Sequence, residues 1–189
     1  MQKNNLSRFL QKNIPGFTPQ AEAFLKSASE NDLKYLNFRY IFTVNGMVEI
    51  SHLIEDAIIH TPGVVETHVS FQYFSRITNQ HARYVKVADA SLRMWLYGIP
   101  DAPLPNFSRT TGVDTTDTPL ENYWFVIGYG PGFSMTLLAE EVGAPKATGQ
   151  ARLYEGFYTF DPNIAYKLLI VLHQMFPALV AEPIMPELF

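Results

Sequence analysis

The sequence predicts an α/β or α+β fold built on a single mixed sheet, and three observations carry that expectation. From Val65 to Tyr97 a strand pattern gives way to a helical one and then to a second strand, the βαβ order that sets two strands in parallel. From Asn122 to Glu140 two strand-length runs flank Gly130-Pro131-Gly132, which reads as an antiparallel hairpin. A third strand at Arg152 to Phe160 then meets Asp161-Pro162, an N-cap side chain followed by the ring that suits the first helical position. Beyond it Ile164, Leu168, Leu172 and Met175 recur at helical spacing. Helices are expected to pack on the sheet.

In chain order, residues 1–32 form an N-terminal arm with a Pro15-Gly16 turn, after which Thr18-Pro19 opens a helix carrying Ala21, Phe24, Leu25 and Ala28. Leu36 to Val44 alternates as a strand and Asn45-Gly46 ends it. Met47, Ile50, Ile54, Ala57 and Ile58 share one helical face, Glu49, Glu55 and Asp56 fall elsewhere, and His60-Thr61-Pro62-Gly63 stops the helix. Val65, Thr67, Val69, Phe71 and Tyr73 alternate with polar residues as a strand; Phe74, Ile77, His81, Tyr84 and Ala88 then share a helical face, and Leu92 to Tyr97 is the parallel strand.

Ile99 to Glu121 holds four prolines among Ser, Thr and Asp without periodicity, the pattern of a long mobile loop or lid. Asn122 to Tyr129 is an apolar run fit for a strand buried on both faces, whereas Phe133 to Glu140 alternates like a half-buried partner. Glu141 to Gln150 is looser. Pro183 and Pro186 make 177–189 a tail or linker, which leaves 33–176 as the domain proper.

The chain has 189 residues, 47% hydrophobic and 17% charged, with a mean hydropathy of −0.02, which suits one sizeable core rather than a disordered chain. Net charge is −4 with no stripe of Lys or Arg, so the electrostatic footprint of a nucleic-acid binder is missing. Cysteine is absent, which removes disulfides, thiolate catalysis and a thioether-linked bilin. The N-terminus lacks a signal-peptide core and Leu168 to Leu172 is too short to cross a bilayer, so the cytoplasm is the expected compartment and no membrane span is expected.

Residues able to carry chemistry are few. Gly128, Gly130 and Gly132 imitate a phosphate loop, but a strand follows where a helix N-terminus is required, and the turn explains them better. His52, His60, His68 and His81 cluster in sequence without metal-ligand spacing, and no metal site is expected. His81 falls on the apolar face of its helix, where a satisfied core histidine is the first reading and a pocket role the second. Gln72 closes a parallel strand, Arg76 and Arg83 follow on its crossover helix, and Tyr97 ends the second strand. Polar groups thus gather where ligands enter open α/β sheets. These five, Gln72, Arg76, His81, Arg83 and Tyr97, are the candidate ligand- or partner-binding residues; surface ion pairs are the plainer role for the arginines. Glu140 and Glu155 read as solvated strand ends rather than an acid/base pair, Trp95 and Trp124 as core, and no catalytic residue is assigned.

The order of ISHLIEDA (50–57), VSFQYFSR (69–76), WLYGIPDA (95–102), YWFVIGYGPGFSMTLLAEE (123–141) and EGFYTFDPNIA (155–165) resembles the DICT family over about residues 33–176. The resemblance implies a non-enzymatic sensory domain of bacterial, especially cyanobacterial, signalling, with a suspected part in light responses. It implies a histidine kinase, GGDEF or transcription-factor module as partner, or a second copy of itself. No output module is visible in this sequence. No cofactor follows from it, while a bound chromophore or small ligand stays open; the other reading is a small-molecule-binding domain or enzyme with its pocket at the C-terminal ends of the parallel strands.

Overall fold

The computed structural model describes residues 40–142 and 152–189. Among these, strands β1 (Tyr40–Thr43), β2 (Glu66–Tyr73), β3 (Arg93–Ile99), β4 (Thr110–Asp114), β5 (Tyr123–Gly130), β6 (Phe133–Val142) and β7 (Leu153–Thr159) form one sheet in the order β1-β7-β6-β5-β2-β3-β4. The β2–β3 and β3–β4 pairs are parallel and every other pair is antiparallel, so the sheet is mixed, as the sequence indicates. Helices α1 (Val44–Ile59) and α2 (His81–Ala90) cover one face, where Met47, Ile54, Ile58, Tyr84 and Val87 meet Val69, Leu96, Val126 and Leu137. Helix α3 (Pro162–Met175) covers the other, packing Ala165, Leu168, Leu169 and Leu172 on Tyr97, Phe125, Ile127, Leu138 and Phe157.

Local chemistry explains most boundaries. Asp161 caps α3 by accepting the Asn163 amide at 2.8 Å, with Pro162 in the first turn. The 130–132 turn closes the β5–β6 hairpin with Gly132 at φ 69°, a left-handed conformation that glycine adopts without penalty. At Gly128 a Cβ would lie 2.6 Å from Phe133 and 3.2 Å from Ile58, so the bare backbone lets α1 sit close to the sheet.

Several expectations are corrected. Asn45-Gly46 does not end a strand but lies in the first turn of α1, where the Gly46 amide donates to Thr43 Oγ1 at 3.2 Å, a side-chain cap. Glu55 does not fall off the buried face; it points inward and is 2% exposed. Between β2 and α2 the chain runs as a 3₁₀ helix, Phe74–Gln80, with three residues per turn. That tighter pitch shifts the phase, so His81 is exposed at the start of α2, its ring 5.3 Å from Phe107, and is not a core histidine. The long loop contains β4, and Phe107, Val113, Thr115 and Leu120 within it are buried. Residues 177–189 are laid back over the α3 face: Trp95 Nε1 donates to Leu179 O at 2.9 Å, the Tyr129 hydroxyl donates to Ile184 O at 2.6 Å, and Val180 is buried. The N-terminal arm, residues 36–39 of the 36–44 strand pattern and residues 143–150 of the 141–150 segment lie outside the described residues.

Candidate functional site

The polar residues of the sheet gather at the C-terminal end of β2, on the α1 side. At Gln72 the register against β3 slips and the backbone turns to φ 65°, an unusual conformation for a side chain other than Gly or Asn. This bulge buries the Gln72 amide beneath α1. Its Nε2 donates to Glu141 Oε2 at 2.9 Å, and its Oε1 receives Arg76 Nη1, Arg152 Nη1 at 3.3 Å and the Tyr154 hydroxyl at 3.3 Å. Arg76 also donates to Phe71 O at 3.3 Å and lies over the Tyr73 ring, while Arg152 stands 3.6 Å from Glu141. Burial, and next the neighbouring Arg152 charge, pull the Arg76 guanidinium below its usual value. Burial and the Glu141 charge push Tyr154 up to about 12, so its hydroxyl stays protonated as a donor.

Beside this cluster a cavity of about 120 Å³ opens between α1, the 3₁₀ helix and the sheet. Val44, Val48, Phe71 and Trp124 give it apolar walls; Ser51, His52, Gln80, Arg76 and Arg152 give it polar ones. Trp124 is held edge-on against Tyr154, 5.4 Å between ring centres. Ser51 is 3% exposed, and its hydroxyl has no hydrogen-bond partner. On the far wall Glu55 accepts from Arg83 Nε and from the Tyr84 hydroxyl, and Arg83 Nη2 reaches His52 O and Asp56 Oδ1, both at 2.7 Å. Burial pushes the Glu55 carboxyl up, against the pull of those hydrogen bonds. Burial works against the Arg83 charge, but its bonds to Glu55 and Asp56 outweigh that and raise it.

Of the five residues singled out in the sequence, Gln72 and Arg76 meet in the cluster beside the cavity, which Arg76 also lines, and Arg83 stands behind it as the ionic tie between α1 and α2. His81 is remote. Tyr97 projects to the opposite face, where its hydroxyl bonds buried His68 Nδ1 at 2.9 Å and His68 stacks on Trp95 at 4.3 Å. The cavity residues Ser51, Trp124 and Arg152, and Tyr154 and Glu141 of the cluster beside it, were missed in sequence. For Ser51 a signal existed, since 47, 51, 54, 55 and 58 share one face of α1 and two of these are polar. Glu140 and Glu155 are directly opposed on β6 and β7, with the Tyr123 hydroxyl donating to Glu140 at 2.8 Å; both lie on the α3 side, away from the cavity. Among the described residues no three His, Cys, Asp or Glu side chains are arranged to hold a metal ion.

The model of the DICT family, described as a sensory domain in diguanylate cyclases and two-component systems, matches residues 32–142. The chain belongs to the DICT family. The matched span runs from before β1 to the end of β6 and so includes Ser51, Gln72, Arg76 and Trp124, whereas Arg152, β7 and α3 lie beyond it. No curated protein matches the chain. The family places it among sensory input domains of signalling proteins, a role that is not catalytic. Among the described residues no helix of this DICT domain is long and apolar enough to cross a membrane.

Proposed function

We propose that this chain is a non-enzymatic signal-input domain of bacterial, and specifically cyanobacterial, signalling, acting in the cytoplasm by changing its contacts with a partner protein. The partner is a histidine kinase, a GGDEF or transcription-factor module, or a second copy. The observation that carries this reading is the family match over α1 and the βαβ unit. Helix α1 suits the relay, because it turns Val48, Ser51 and Glu55 toward the cavity while Leu53 stands 65% exposed on its outer side. A ligand that moved α1 would alter what the outer side offers. Affinity capture from a native extract tests it: a protein bearing one of those output modules should be recovered. If none is recovered while the purified chain turns over a metabolite, the reading fails.

The second reading, a small-molecule site at the ends of the parallel strands, is favoured by one feature, the partnerless Ser51 hydroxyl on a cavity beside Gln72. The two readings join if the small molecule is the signal. An absorption spectrum of freshly purified protein separates a coloured ligand, and with it a light response, from a colourless one.

A further inference from the structure

We propose that the cavity under α1 binds a small organic carboxylate, its charged end on Arg76 and its body between Phe71, Val48 and Trp124. The inference rests on the sensory reading of this domain for its purpose, but not for its chemistry.

Three features converge on that ligand. First, Gln72 Oε1 has two lone pairs, yet three donors, from Arg76, Arg152 and Tyr154, point at it. Tyr154 and Arg152 also reach Glu141, but Arg76 bonds Phe71 O and Gln72 Oε1 through Nη1 alone, so its Nε and Nη2 have no hydrogen-bond partner among the described residues and would take both oxygens of a carboxylate in the paired geometry that guanidinium groups favour. Second, Arg152 stands against Glu141, whereas Arg76 has no ion-pair partner among the described residues. Glu55, the other acid on the wall, is engaged by Arg83 and Tyr84 on the α2 side. Third, the Ser51 hydroxyl is buried without a partner on the same cavity as Arg76, which leaves it as a further donor to a ligand carboxylate oxygen.

Size narrows the class. An apolar cavity of about 150 Å³ holds benzene, so a part-open one of about 120 Å³ takes a molecule of roughly that bulk. A nucleotide or a tetrapyrrole could not be enclosed by it.

Calorimetric titration of the full chain with benzoate, its neutral counterpart benzamide and inorganic phosphate tests this. Benzoate should bind at one site, benzamide at least tenfold more weakly, and phosphate more weakly than benzoate. Arg76→Gln should weaken benzoate at least tenfold. Since that variant also disturbs the Gln72 network, Ser51→Val provides the second test: it should fold with an unchanged circular dichroism spectrum and lose benzoate. Equal binding of benzamide, preference for phosphate, no benzoate heat at millimolar concentration, or benzoate affinity untouched in a folded Arg76→Gln or Ser51→Val would each overturn the proposal. Benzoate failure with capture of a signalling partner removes the ligand class alone, and benzoate binding without a partner removes the signalling role alone.

Discussion

Replacing His68 by Phe should make the protein less stable at neutral pH and relatively more stable in acid. His68 is fully enclosed on the α3 face, stacked on Trp95 with 10° between the planes and bonded to the Tyr97 hydroxyl, and burial pulls its pKa down to about 3. The unfolded chain takes up a proton at this residue near pH 6.5 and the folded one does not. His68 therefore gives its full contribution above about pH 6.5 and loses it progressively as pH falls toward about 3, a range worth about 5 kcal/mol. By pH 4.5 the wild type should have lost about 2.7 kcal/mol through this residue. Phe retains the stacking but leaves the Tyr97 hydroxyl alone, which costs about 1–2 kcal/mol at pH 7. The stability curves should then cross between about pH 5 and 6. Urea unfolding followed by circular dichroism from pH 4.5 to 8 measures the difference, in which carboxylates common to both proteins cancel. A difference that stays constant over that range would refute the reasoning.

Arg83→Leu should cost about 2–4 kcal/mol, because it strands the buried Glu55 carboxylate while Arg83 itself is partly exposed. Adding Glu55→Gln should recover most of the loss, and a cost under about 0.5 kcal/mol would mean the pair does not tie α1 to α2. Gly156→Ala would set a Cβ 2.0 Å from Leu138 O, a backbone atom in the neighbouring strand, so the variant should be insoluble or lose more than about 3 kcal/mol. A melting temperature within a few degrees of wild type would contradict it. The Thr115 amide, which donates to Gly98 O at 3.2 Å, and alternate amides of β4 should exchange hydrogen much more slowly than those of Ala102 and Leu104. Equal rates would return the whole stretch to a mobile loop.

What could be read in the sequence was local. The apolar run of β5, the Gly-Pro-Gly hairpin and the Asp161 cap each follow from periodicity or turn chemistry within a short stretch, and the parallel β2–β3 pair from the order of consecutive elements between Val65 and Tyr97. β4 escaped because it is a five-residue edge strand, TTGVD, with only Val113 buried, so no alternation betrays it. His81 was misplaced because a 3₁₀ turn has a different period from the α-helix that follows. Glu55 was turned outward because a carboxylate belongs in water unless a partner answers it, and that partner, Arg83, comes from another helix. The cavity draws side chains from α1, β2, the 3₁₀ helix, α2 and β5, and from Arg152 just before β7. Gln72 and Arg76 were visible because they adjoin one strand end, while Arg152 reaches them only through strand order.

The proposed ligand site under α1 is tested most directly by a ¹⁵N–¹H correlation titration of the protein with benzoate. The account predicts saturable shifts at Val48, Ser51, His52, Phe71 and the Trp124 indole, which line the cavity. The Trp95 indole, bonded to Leu179 O on the opposite face, should stay in place. Shifts gathered instead around Gly63, Tyr129 and Ile184, or none at all, would contradict it.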